Sequence, residues 1–141
     1  MVLNYHFDAA DGSSCTLTYD EQERWLSATW QGYVDPLEAR TGAEAYLNRF
    51  SLAPTPLLLN NNTRLRGPWF DSLDWLSDVW VPQAARLGLR YVAHVVQADR
   101  PSDVISSRFP TTLPFELQIF QDLADAQQWL RECRDHTQPV G

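Results

Sequence analysis

The sequence predicts an α/β fold with a mixed sheet, in which antiparallel strands at the N-terminus precede a parallel β-α-β core. Three observations lead to this prediction. The first thirty residues contain three short segments in which apolar and polar residues alternate, as in half-buried strands. Two later segments are almost continuously apolar, as in strands that are buried on both faces. Stretches with helical spacing separate the later strands, and this alternation is typical of parallel sheets with right-handed crossovers.

Three short strands are expected first. Residues 3–7, 15–19 and 25–30 each alternate between apolar and polar side chains. Residues 10–12, which end in glycine, and the polar residues 20–23 are turn signals between them. We therefore expect an antiparallel meander. The core face of its third strand is predicted to present Leu26, Ala28 and Trp30.

The first helix has a well-defined start. Asp35 can cap it, Pro36 suits the first helical position, and Glu38 completes an arrangement that resembles a capping box. Apolar residues then recur at helical spacing as far as Phe50. Residues 56–60 are expected to follow as a buried strand.

The second helix is the most periodic segment of the chain, with an apolar stripe from Trp69 to Leu87. Pro82 removes a backbone donor inside this segment and predicts a kink. Gly88 is the expected stop, and residues 90–96 are expected to form the next buried strand.

A short helix over residues 101–109, a strand over residues 115–120 and a helix capped by Asp122 complete the predicted fold. We expect residues 1–135 to form a single domain. Residues 136–141 are polar and are expected to be a flexible tail.

Composition limits the classes of function. The 141 residues are 44% apolar and 21% charged, as in a globular domain. A net charge of -7 disfavours nucleic acid as a partner, because the protein's field repels phosphates. The sequence shows no signal-peptide pattern and no apolar run of roughly 20 residues that could span a bilayer. We therefore expect a cytoplasmic protein without membrane insertion, whose Cys15 and Cys133 are buried free thiols.

The most informative stretch runs from residue 57 to residue 66, where an apolar run ends abruptly in three amides, a hydroxyl and two guanidinium groups. Ligands of open α/β sheets bind at the carboxyl ends of the strands. We therefore predict a polar turn that contacts a ligand or a partner. The candidate residues are Asn60, Asn61, Asn62, Thr63, Arg64 and Arg66. Two interpretations stay open: the arginines and the following helix start hold an anion, or the amides only satisfy local backbone groups.

Asp99 and Arg100 follow the neighbouring strand and are expected beside this turn, either as the rim of a pocket or as a local ion pair. His94 lies within the apolar run of that strand, so we expect a hydrogen-bonded core histidine. The sequence contains no nucleophile–histidine–acid order, no glycine-rich phosphate loop and no metal-ligand spacing. We therefore predict no catalytic residues, no cofactor and no metal.

Three of the six tryptophans lie at the edge of, or opposite, the apolar stripes of their elements. Half-exposed indoles are natural contact residues, since aromatic side chains are enriched at interface cores. The predicted interface candidates are Trp25, Trp75 and Trp129. The alternative is that these side chains only cover the core.

Several segments, mostly of packing residues, resemble the STAS-like, SpoIIAA-like domains. These are small bacterial proteins related in fold to anti-sigma-factor antagonists and, more loosely, to CRAL-TRIO lipid-binding domains. The segments are residues 30–33, 57–62, 75–82, 88–95, 120 and 126–130. The resemblance spans about residues 15 to 132 and implies a STAS-like mixed sheet with a regulatory role.

One departure from the family matters for function. In anti-sigma antagonists a serine that follows the central strand is phosphorylated by a partner kinase. The matching residues 60–64 contain no serine, so the resemblance does not imply a phospho-switch, and Thr63 is the only nearby hydroxyl. We predict a non-catalytic STAS-like regulatory or protein-interaction domain that binds a protein partner or forms a homodimer. The alternative is a small-ligand or lipid-binding domain with its site at the carboxyl ends of the parallel strands.

Overall fold

A computed structural model describes residues 1–10, 12–34, 36–66, 75–96 and 113–137. The strands are β1 (Val2–Asp8), β2 (Ser13–Asp20), β3 (Trp25–Tyr33), β4 (Leu57–Arg66), β5 (Tyr91–Val95) and β6 (Glu116–Phe120). The helices are α1 (Pro36–Arg49), α2 (Val81–Leu87) and α3 (Leu123–Thr137), with a 3-10 turn Phe50–Leu52 after α1 and a π-helical turn Leu76–Trp80 before α2.

The six strands form one sheet in their sequence order. β1, β2 and β3 are antiparallel neighbours, whereas β4, β5 and β6 continue from β3 as parallel strands. The predicted fold class is therefore confirmed. This winding leaves β1 and β6 as the two edge strands of the described sheet.

Each face of the sheet has its own apolar core, because alternate side chains of a strand point to opposite faces. One face packs against α1, the π-helical turn and α2, and its buried residues include the predicted Leu26 and Trp30. The other face packs against α3 along β4, β5 and β6. The two cores make the centre of the molecule a three-layer α/β/α sandwich.

β4 is longer than its apolar run suggested. Its first residues pair with both β3 and β5, but β5 ends opposite Asn61 while β3 continues to Tyr33. The extra length of β3 provides hydrogen-bond partners as far as Arg66. The prediction of a turn after Asn60 is therefore wrong, since the polar residues continue the strand.

A β-bulge interrupts this extension. Asn61 pairs with Thr29, whereas Arg64 pairs with Gln31. Two residues of β4 therefore lie opposite the single residue Trp30 of β3. Bulges bend a strand, re-aim its side chains and are frequent beside functional sites, so this bulge decides where the candidate site residues point.

The π-helical turn stands immediately before Pro82, where the sequence predicted a kink. Proline has no N–H to donate to the preceding turn, and a turn with longer-range hydrogen bonds accommodates that loss. Gly88 ends α2 as predicted, with a φ of 121° that favours glycine. Residues 67–74, where the predicted second helix starts, and the predicted helix at residues 101–109 lie outside the described residues.

The start of α1 differs in part from the predicted capping box. The helix begins at Pro36 as expected, and Asp35 lies outside the described residues. Glu38 contacts a distant strand: its Oε2 accepts a 2.6 Å hydrogen bond from the hydroxyl of the fully buried Ser13. This bond ties the first turn of α1 to the start of β2.

α3 continues to Thr137, so the first two residues of the predicted tail are helical. The helix is tied to the turn between β2 and β3 by Glu23. Arg131 Nε donates to Glu23 Oε2 at 2.8 Å, and an Arg134 terminal nitrogen donates to the Glu23 carbonyl at 2.8 Å. No helix among the described residues is both long and apolar enough to cross a membrane.

Candidate functional site

The amides at the end of β4 separate onto the two faces of the sheet. Asn60 and Asn62 point toward the helices α1 and α2, where both contact His94 of β5. Asn61 points to the opposite face, where its Oδ1 accepts from the backbone N–H of Thr63 at 3.1 Å and from the Thr63 hydroxyl at 2.8 Å. The predicted continuous site is therefore divided by the sheet itself.

A buried hydrogen-bonded chain links three strands on the inner face. Trp30 Nε1 donates to Asn60 Oδ1 at 2.8 Å, and Asn60 Nδ2 lies 2.9 Å from His94 Nδ1. His94 is only 1% exposed, so the prediction of a hydrogen-bonded core histidine is confirmed. Because the three residues occupy β3, β4 and β5, the chain fixes the relative position of the central strands.

These hydrogen bonds also determine the tautomer of His94. The indole N–H of Trp30 can only donate, so it holds Asn60 Oδ1 as the acceptor and directs Asn60 Nδ2 toward the ring. An amide nitrogen donates, and His94 Nδ1 must therefore accept with its lone pair. The ring proton of the neutral histidine then resides on Nε2.

Asn62 completes the buried polar cluster. Its Nδ2 lies 3.3 Å from His94 Nε2 and 3.4 Å from Nδ1, and the residue is 3% exposed. Its Oδ1 is buried without a hydrogen-bond partner among the described residues. Two donors cannot bond to each other, so the amide orientation that turns Oδ1 toward the Nε2–H suits this tautomer better. Alternation along β4 places this second amide on the same face as Asn60.

A cavity of about 70 Å3 lies beside this cluster, between the sheet and the helices. Asn60 and His94 form its polar side, while Tyr46 and Trp80 line it from the helices. Tyr46 is 3% exposed, and its hydroxyl has no hydrogen-bond partner among the described residues. Such a buried group costs about 1–3 kcal/mol when it stays unsatisfied. Burial also raises the pKa of the Tyr46 phenol well above its ordinary value, so the group is neutral.

Two contacts of Trp80 hold the helical side of the cavity together. Trp80 belongs to the π-helical turn, and its Nε1 donates to the carbonyl of Ala43 in α1 at 2.8 Å. Tyr46 packs against Trp80 with ring centroids 5.4 Å apart. The cavity is therefore bounded by a π-helical turn on one side and by the bulged strand on the other, two irregularities that are frequent at functional sites.

The remaining predicted site residues are not brought into this cavity. Arg64 is exposed and lies on the strand beyond the bulge. The side chain of Arg66, together with Asp99 and Arg100, lies outside the described residues. An anion site formed by the two arginines therefore stays a prediction.

The tryptophan predictions have mixed outcomes. Trp25 is 1% exposed, so its assignment as a half-exposed interface residue is wrong. It faces α3 and packs with the apolar residues of that helix, and the Arg131 guanidinium lies 6.0 Å from its ring. Trp75 and Trp129 are half-buried as expected. Trp75 lies under the Arg40 guanidinium at 4.7 Å, and Trp129 packs against Tyr91 and Phe120; their interface role stays a prediction.

A second candidate surface, which sequence reasoning missed, lies on the side of the sheet opposite α1. We call it the open face and define it by alternate residues of the first three strands. Its members are Val2, Tyr5, Phe7, Ser14, Thr16, Thr18, Ser27 and Thr29. None of these residues is buried, and none is charged; the same alternation along β2 ends in the carboxylate of Asp20, opposite Trp25. The Tyr5 and Phe7 rings stack with centroids 6.5 Å apart and planes within 5°.

The two missed features leave different traces in the sequence. Tyr5 and Phe7 alternate with polar residues, and the same pattern fits a strand whose apolar side faces the core. A core face was predicted only for the third strand, so the exposed side of the first strand was not recognised. The unpartnered hydroxyl of Tyr46 leaves no trace, because a tyrosine in a helical stripe is an ordinary core residue.

Comparisons with protein-family models, with curated proteins and with solved structures gave no match. Among the described ranges, no group of three or more histidine, cysteine, aspartate or glutamate side chains is placed to hold a metal ion.

Proposed function

We propose that this chain is a non-catalytic, STAS-like interaction domain whose open face binds another protein molecule. The partner that we favour is a second copy of the chain. The fold class and the family resemblance support a regulatory role of this kind. The observation on which the proposal depends is the composition of the open face, where aromatic and hydroxyl side chains are accessible and charged ones are missing.

The open face has the chemistry of an interface core. Val2, Tyr5 and Phe7 are 62%, 61% and 53% exposed, and they lie along β1 at the edge of the face. Interface cores are depleted in charge and enriched in aromatic residues. On a chain of net charge -7, a neutral face of this extent is where a partner can bind without desolvating ions.

A second copy fits this surface better than a charged partner does. The neutral face brings no like charges together when two copies meet, so the net charge opposes contact less here than elsewhere. β1 is also an edge strand, and edge strands present unpaired backbone groups to other chains. Antiparallel pairing of β1 with the β1 of a second molecule satisfies twofold symmetry and joins the two aromatic pairs into one patch.

The test is sedimentation velocity over a wide range of protein concentration. We expect the wild-type chain to sediment increasingly as a dimer, and the double variant Tyr5→Asp/Phe7→Asp to remain a monomer. The matched control is Leu37→Asp/Leu52→Asp, which adds the same charge at two residues that are 74% and 61% exposed but lie outside the open face. Circular dichroism and thermal unfolding show that each variant is folded.

The outcomes separate cleanly. A wild-type monomer at every concentration overturns the proposed self-association. Equal loss of dimer in both double variants would also overturn it, because net charge rather than the open face would then control association. A lipid-binding role is the less favoured alternative, since the 70 Å3 cavity is well below the roughly 300 Å3 of typical ligand pockets.

A further inference from the structure

We propose that the cavity between the sheet and helices α1 and α2 is a binding site for a small neutral molecule with one hydrogen-bonding group, such as a short-chain alcohol. This site is independent of the open face and goes beyond the proposed interaction function. Three observations about the cavity lead to it: its shape and size, its unpartnered hydroxyl, and the irregular backbone on either side.

The walls of the cavity select an apolar body. Its apolar lining consists of Leu58 and Val92 of the sheet, Leu76 and Trp80 of the π-helical turn, and Phe115 just before β6. An engineered cavity of about 150 Å3 with such walls stays dry and accepts benzene, which has six carbon atoms. By proportion, 70 Å3 has room for about three or four non-hydrogen atoms.

The polar groups of the cavity select a single hydrogen-bonding function. Asn60 already uses its Oδ1 for Trp30 and its Nδ2 for His94. The Tyr46 hydroxyl is the buried polar group of the described lining that has no partner. A phenol that is neutral can donate to, or accept from, an alcohol or amide of the ligand. The site therefore favours a neutral amphiphile over either a hydrocarbon or an ion.

The backbone is irregular on two sides of the cavity. The π-helical turn Leu76–Trp80 provides two lining residues, and the bulged strand β4 provides Asn60 just before its bulge. A closed apolar core needs neither irregularity. Both irregular elements contribute residues to the lining that also contains Tyr46.

The size of the ligand limits its affinity. The best small ligands gain at most about 1.5 kcal/mol per non-hydrogen atom, which for the four such atoms of 1-propanol corresponds to a Kd no tighter than roughly 0.04 mM. The site is therefore suited to a metabolite or solvent molecule that is present at high concentration. Titrations must reach the millimolar range.

The experiment is an NMR titration of backbone amides with 1-propanol and, separately, with xenon under pressure. In the wild-type chain we expect saturable shifts for amides beside the cavity with either probe. Tyr46→Phe keeps the ring and removes only the unpartnered hydroxyl, so this variant folds. We expect it to bind 1-propanol roughly threefold to tenfold more weakly and to bind xenon as the wild type does.

A second variant tests the location. Ala28 lines the cavity from β3, and Ala28→Val fills part of the space with methyl groups that a strand accommodates well. We expect it to lose both probes. Shifts that increase linearly without saturation, an unchanged propanol affinity in Tyr46→Phe, or full binding of both probes by Ala28→Val would each overturn the proposal. Because none of these measurements depends on the oligomeric state, the proposed dimer and this site fail or succeed separately.

Discussion

Replacing Asn60 by leucine tests whether the buried polar chain stabilises the central strands. Leucine has nearly the same size but cannot accept the 2.8 Å bond from Trp30 Nε1 or donate across 2.9 Å to His94 Nδ1. Trp30 and His94 then each lose a buried hydrogen bond to Asn60. Removing one partner of a buried hydrogen bond costs about 1–3 kcal/mol, so we expect the free energy of unfolding to fall by roughly 2–6 kcal/mol.

The matched control for this prediction is Asn61→Leu. Asn61 is the next residue of the same strand, but its side chain lies on the opposite face, where its bonds to described residues go to the half-exposed Thr63. Water can replace that partner, so we expect a loss of about 1 kcal/mol or less. Urea unfolding followed by tryptophan fluorescence measures both variants. Equal losses in the two variants, or a loss below about 1 kcal/mol for Asn60→Leu, would refute the reasoning.

Two further predictions follow from close contacts and from burial. Gly42→Ala should destabilise the chain by about 1–3 kcal/mol although alanine favours helices, because the added Cβ would lie 2.5 Å from Trp30 Cη2 and 2.9 Å from Cys15 Sγ; thermal unfolding measures it, and a stabilised variant would contradict it. Burial raises the pKa of Cys15 from 9.0 to about 12, so the thiol stays neutral in the folded chain while the unfolded chain ionises. The free energy of unfolding should therefore be unaffected by this thiol below pH 9 and should decrease from pH 9 toward pH 12. The decrease should be less steep in Cys15→Ala. A Cys15 thiol that reacts rapidly with Ellman's reagent in the folded chain at pH 8 would argue against this burial.

The regular part of the fold was predictable because it depends on local patterns. Alternation in the first thirty residues identified the meander, and Pro36 and Gly88 marked a helix start and a helix end correctly. These signals depend on backbone conformation within a few residues. The fold class follows from them once the strand–helix order is known.

The errors share one physical cause, which is pairing between distant parts of the chain. Asn61 to Arg66 form a strand only because β3 extends to Tyr33 and offers partners. Trp25 is buried only because α3, about a hundred residues later, covers it. Neither contact has a local signature.

The arrangement of the candidate site could not be predicted. Asn60 and Asn62 were predicted as site residues and His94 as a core histidine, but their convergence on one face depends on the parallel register of β4 and β5. A slip of one residue in a strand turns every side chain to the other face. Sequence periodicity does not fix that register, and so it could not separate Asn61 from its two neighbours.

The most direct test of the proposed interaction surface is hydrogen–deuterium exchange of β1 at low and at high protein concentration. If two copies pair through this edge strand, the amides of residues 1–8 exchange more slowly at high concentration, and Tyr5→Asp/Phe7→Asp abolishes the difference. The exchange of α1 stays unchanged and serves as the internal reference. Identical exchange of β1 at both concentrations would contradict the proposal that the open face and its edge strand bind a second copy of the chain.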